Sequence, residues 1–138
     1  MSGLICPISG QVASKVMDGE AVVINLKTGV YYSLQGSGGF IWSLIEQSAQ
    51  LEEITSLVAD GYGQSVDSVR EDLRRFIDEL ECEKLIHISA IPRQGELLIA
   101  PEFANPGDYA APNFEKFTDM ADMFALDPPL PGIAQTAD

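Results

Sequence analysis

The chain opens with short runs in which apolar and polar positions alternate. "QVASKVM" (11–17), "EAVVINL" (20–26) and "VYYSL" (30–34) are separated by Asp18-Gly19 and by Lys27-Thr28-Gly29. β-Branched and aromatic residues between tight turns predict three strands in an antiparallel meander. Period-two alternation puts Val30, Tyr32 and Leu34 on one face, expected to pack on helices, and Tyr31 and Ser33 on the other. As the last strand of the meander, "VYYSL" is expected to be a sheet edge with unpaired N–H and C=O groups.

The periodicity then changes to helical. Phe40, Ile41, Leu44 and Ile45, with Trp42 beside them, predict a helix from Ser37, its expected N-cap, to about Glu46. Gly38 and Gly39 weaken its first turn. Leu51, Ile54, Leu57 and Val58 predict a second helix to about Asp60, stopped by Gly61 and Gly63. Ser65 is the expected N-cap of a third helix with Asp67 in its first turn. Val66, Val69, Leu73, Phe76, Ile77 and Leu80 form its apolar stripe, flanked by Arg70, Arg74 and Arg75. "KLIHISAI" follows as an extended wing. The fold class expected is α+β: a winged helix-turn-helix with a three-stranded meander, three helices and an extended tail.

Seven of the eight prolines lie from Pro92 onward, which sets an expected boundary near Ala90. The organisation expected is a flexible N-terminus (1–10), a folded domain (11–90), and a Pro-rich linker and tail (91–138). In the tail, Phe117, Met120, Ala121 and Phe124 fall on one helical face, with Thr118 or Asp119 as cap and Pro128 as stop. A helix this short is marginal in water and needs a surface to fold on.

Charge and chemistry narrow the function. The net charge is −13, with 8 basic against 21 acidic residues, a poor match to a phosphate backbone. The third helix carries six acids between Asp67 and Glu81, so nucleic acid is not the expected partner. Cys6, Cys82 and His87 are too few and too scattered for a metal site. They read as a mobile N-terminal thiol, a half-buried helix-end thiol and a strand residue. No nucleophile–base pair stands out, and neither enzyme activity nor a cofactor is expected. No signal peptide or membrane span is evident, so the location expected is the cytoplasm.

"MDGEAVVINLKTGVYYSLQGSGGFIWSLIE" together with "LEEITSLVADGYGQSVDSVREDLRRFIDELECEKLI" resembles the PqqD family, whose fold is also called the RiPP recognition element. The likeness covers about residues 12–88. It rests on Tyr32-x-Leu34, on Ile41-Trp42, and on the Val69…Asp72-Leu73…Phe76-Ile77…Leu80 run. Gly36-Ser37-Gly38-Gly39 departs from it where the family usually has Asn-x-Thr-Ala. The resemblance implies a non-enzymatic adaptor. Such a domain holds the leader of a ribosomally made precursor peptide as an added strand and presents it to a modifying enzyme, such as a radical-SAM enzyme, cyclase or leader protease. It implies a binding edge at Val30, Tyr31, Tyr32, Ser33 and Leu34, with a groove wall from Arg70, Leu73, Arg74 and Ile77. The two arginines are then placed to pair with acids in a leader. For any one of these apolar residues, plain core packing is the competing reading.

Tyr109-Ala-Ala-Pro112-Asn-Phe114 is similar to the Tyr-x-x-Pro-x-Leu motif of lasso-peptide leaders, with Phe114 in place of Leu. Three readings of the tail stand. In one, Tyr109, Pro112, Phe114, Phe117, Met120 and Phe124 fill the groove of the chain's own domain or, by self-association, of a neighbour's. In another they recruit the modifying enzyme. In the third the tail only solubilises. Two other functions remain for the whole chain: a winged-helix transcriptional regulator, and an interaction module without a peptide substrate.

Overall fold

The computed structural model describes residues 4–8, 10–89, 95–99, 103 and 107–118. The meander forms as expected: β2 (Val12–Met17), β3 (Glu20–Asn25) and β4 (Tyr31–Gln35) pair antiparallel in sequence order. Asp18 and Gly19 both take positive φ at the first turn, 55° and 79°, the left-handed pair that a two-residue hairpin demands. Alternation also holds in β4. Tyr32 and Leu34 are buried, whereas Tyr31 and Ser33 are half-buried on the outer face.

Three helices follow: α1 (Ser37–Ile45), α2 (Leu51–Tyr62) and α3 (Val66–Cys82). Their caps are uneven. The Ser65 hydroxyl accepts from the Ser68 amide at 3.2 Å, the expected start of α3. Gly63, one of the two glycines expected to stop α2, ends it in the left-handed conformation, so the helix runs through Gly61 to Tyr62, two residues past the expected limit at Asp60. The start of α1 differs from expectation. Its N-cap is Gly36, at φ 59°, with no side-chain cap, and the Ser37 hydroxyl is turned elsewhere.

The first ten residues, expected to be flexible, include a strand. β1 (Leu4–Pro7) lies between β5 (Ala49–Gln50) and β6 (Ile86–Ser89), antiparallel to both. Leu4 and Ile5 are both buried, Ile5 within the main core, and the Cys6 thiol donates to the Ser48 hydroxyl at 3.3 Å. The extended wing at β6 therefore pairs with the N-terminus rather than with the meander. Backbone donors of β6 need partners, and two adjacent apolar side chains hold β1 in place. Cys82, expected half-buried, is exposed.

One core joins the elements. Phe40, Trp42, Leu44, Ile54, Leu73, Phe76 and Leu80 are each at most 1% exposed. The boundary near Ala90 does not end the packing, because Phe103 is buried and stacks on Phe40 with centroids 5.1 Å apart. Gln47 also fixes the backbone of Leu98 at both its N–H and its C=O, 2.7 and 2.8 Å. Among the described residues no helix is long and apolar enough to cross a membrane.

Candidate functional site: a tail strand on the sheet edge

The edge expected at "VYYSL" exists, and a segment of the tail is paired with it. β7 (Glu115–Phe117) runs antiparallel to β4, with Tyr31 opposite Phe117, Tyr32 opposite Lys116, and Ser33 opposite Glu115. The sheet order becomes β2-β3-β4-β7. Pairing satisfies the edge amides and carbonyls of β4 that water would otherwise take. On the outer face, Phe117 stacks on Tyr31 at 4.9 Å and 18°, a cross-strand aromatic pair.

Before it reaches the sheet, the tail runs over the junction of α1 and α3. The Tyr109 hydroxyl donates to Asp72 Oδ2 at 2.7 Å, and its ring meets Tyr62 edge-on at 5.4 Å. Burial pushes the Tyr109 hydroxyl well above the ordinary tyrosine range, and the Asp72 carboxylate adds to the rise. The phenol therefore stays a donor. Ser37 Oγ donates to the Ala110 carbonyl at 2.7 Å, and an Arg75 guanidinium nitrogen donates to the Pro112 carbonyl at 2.7 Å. Pro112 is buried. Phe114 sits edge-on to Tyr32 at 5.4 Å, with Phe76 at 6.4 Å.

Gly38 makes this path passable. A Cβ at that position would lie 2.8 Å from the Asn113 carbonyl oxygen, closer than such atoms approach. The glycines that weaken α1 by propensity thus include one that lets the tail backbone lie against the helix start.

The last contact is polar. Tyr32 Oη donates to Glu83 Oε1 at 2.8 Å, and Lys116 Nζ reaches the same oxygen at 2.8 Å. Burial pushes the Glu83 carboxyl up, but the bonds from Lys116 and Tyr32 outweigh it and hold the group below its ordinary value.

The residues singled out in the sequence divide into three groups. Tyr31, Tyr32, Ser33, Tyr109, Pro112, Phe114 and Phe117 come together along this path. Leu34, Leu73 and Ile77 are buried in the core, and Val30 packs partly against it. Arg70 and Arg74 lie on the α2 side of α3. Arg70 is ion-paired with Glu52 at 2.9 Å and Asp67 at 3.0 Å, and the charge of Arg74 is felt at Glu52. The wall that faces the tail is the other flank: Asp72, Arg75, Phe76 and Glu83. Those positions follow helical spacing, but periodicity alone does not tell which flank of an apolar stripe meets a neighbouring strand. Met120 and Phe124, and the short helix expected around them, lie outside the described residues.

Fold and site together define a small α+β domain whose sheet edge and adjoining groove hold an extended peptide segment, here one of its own. Residues 20–86 match the model of PqqD, coenzyme PQQ synthesis protein D. The solved structure of TbiB1 in complex with the TbiA(beta) leader peptide is 36% identical, with a TM-score of 0.56. The alignment covers 59% of this chain and 94% of that one. Among curated proteins none matches. The chain belongs to the PqqD family, as a RiPP recognition element. Its tail strand β7 lies beyond the family match.

Proposed function

We propose that the chain is a non-enzymatic adaptor that binds the leader of a ribosomally made precursor peptide and presents it to a modifying enzyme. The leader adds as a strand on β4, and the tail is an internal leader mimic that occupies the same edge until a leader displaces it. The observation that carries this reading is the β4–β7 pairing, approached through Tyr109, Pro112 and Phe114. It draws support from TbiB1, a similar structure solved with a leader peptide. Main-chain pairing supplies affinity without regard to sequence, and the side-chain subsites along the groove supply selectivity.

Tethering sets the terms of competition. A segment on a short linker acts at an effective concentration on the order of millimolar. A leader of equal intrinsic strength therefore binds the intact chain weakly, and loosening the tail exposes its full affinity. Cutting the chain near residue 91 is a poor way to loosen it, because this also removes Phe103 from the core. The test is the full chain carrying Tyr109→Ala and Phe114→Ala, offered a fluorescent peptide of its own residues 107–118. At least tenfold tighter binding to the loosened chain than to the original is expected. Equal affinity for both rejects self-occupancy.

A further inference from the structure

The groove wall has a charge pattern opposite to the one its sequence suggests. The arginines expected to line it point away, and Arg75 is committed to Glu79 at 3.1 Å and to the Pro112 carbonyl. At the far end stands Glu83, the C-cap of α3. The last turn of α3 carries no basic residue of its own, although a helix C-terminus favours a nearby cation. Lys116 of the tail supplies that charge from across the groove.

Register explains why this position reads sequence. Lys116 lies opposite Tyr32, two residues past Phe114, so both side chains fall on the inner side of the added strand. Glu115 lies opposite Ser33 on the outer face, where an acid meets no groove wall. An acid in place of Lys116 would meet Glu83 directly and leave the Tyr32–Glu83 hydrogen bond without its counter-charge.

We infer that the groove selects peptides carrying lysine or arginine two residues after the aromatic or apolar residue seated against Tyr32 and Phe76, and that Glu83 is the residue that enforces this choice. This deepens the adaptor reading and rests on it: the tail marks the subsites that a client peptide fills. The ligand is thus an extended segment with a hydroxyl-bearing aromatic at Asp72, a proline three residues on, an apolar anchor, and then a cation at Glu83.

The experiment uses the full chain with Tyr109→Ala and Phe114→Ala, so that the edge is open. Two probe peptides of residues 107–118 are compared, one with Lys and one with Glu at the place of Lys116. The pair is partly exposed, with side chains 43% and 25% accessible. The preference expected for the lysine probe is therefore modest, about five- to tenfold, combining a lost attraction with a new repulsion. Adding Glu83→Gln, which keeps an acceptor for Tyr32, should shrink the preference to below about twofold. Glu83→Lys should reverse it. Equal binding of both probes to the Glu83 chain, or a preference that survives Glu83→Gln, overturns the inference and leaves strand addition standing. Failure of both probes to bind overturns strand addition itself, and the inference with it.

Discussion

Single residues decide whether the tail can lie where it does, and Gly38 is the sharpest case. Alanine is favoured over glycine inside a helix by about 1 kcal/mol, so Gly38→Ala should strengthen α1 taken alone. Its methyl group would nevertheless press on the Asn113 carbonyl, 2.8 Å away. The expected outcome is a folded domain with an evicted tail, read as faster amide exchange at 115–117 and unchanged exchange in α3. It should also fail to bind the 107–118 peptide, because the same methyl blocks a peptide from outside. Continued protection of 115–117 would show that the backbone yields there. Phe114→Ala acts differently, since it removes a half-buried aromatic from the tail and leaves the groove open. A loss of about 1–3 kcal/mol in tail docking is expected, measurable as faster exchange of the β7 amides.

At the scale of elements, the strand and helix periodicities carried the meander, α2 and α3 close to their observed limits. The Ser65 cap and the Asp18-Gly19 turn were both legible because each rests on local backbone chemistry. Three features were not. β1 has no strong pattern of its own and exists because β6 and β5 pair with it. The Ser37 hydroxyl went to Ala110 rather than to a cap because a chain segment 73 residues away lies over the helix start. The tail meets the flank of α3 opposite Arg70 and Arg74, because Arg70 pairs with Glu52 of α2 and the charge of Arg74 also acts on that carboxylate. Tail docking also has a pH dependence that belongs to β7. The Glu83 carboxyl is depressed in the docked state, so its contribution is present above the ordinary glutamate range and is lost as pH falls through the docked value. Acidification from about pH 7 towards pH 3 should therefore loosen β7. In Glu83→Gln that step should shrink, as followed by exchange at 115–117. The same acid step in both chains would assign it to other carboxylates.

For the whole molecule, the balance of charge argues against a nucleic-acid role. The flank of α3 that faces the tail is covered, and Arg70 and Arg75 are paired with acids. The net charge of −13 makes phosphate contact unfavourable over the chain as a whole. Packing also ties the tail to the domain more tightly than its prolines suggested. Leu97, Phe103, Tyr109 and Phe114 all pack on the core, so these residues of the tail belong to the fold. Stability and occupancy are consequently linked. Trp42, the single tryptophan, is fully buried, and its fluorescence reports global unfolding. Loosening the tail with Tyr109→Ala and Phe114→Ala should lower the melting temperature by several degrees, roughly 3–8 °C for a loss of 1–2 kcal/mol in a domain of this size. Saturating 107–118 peptide should restore most of that loss by mass action. A melting point that the peptide leaves unmoved would mean that the external peptide does not replace the tail.

If the tail is a leader mimic, a peptide from outside takes the place of β7 on β4. Amide hydrogen exchange on the full chain, with and without saturating 107–118 peptide, tests it most directly. Exchange at residues 115–117 is expected to speed up when the peptide binds, while Tyr31–Gln35 stays protected because one partner strand has replaced another. A bound peptide with 115–117 still protected would contradict it, and would place the binding surface elsewhere on the molecule.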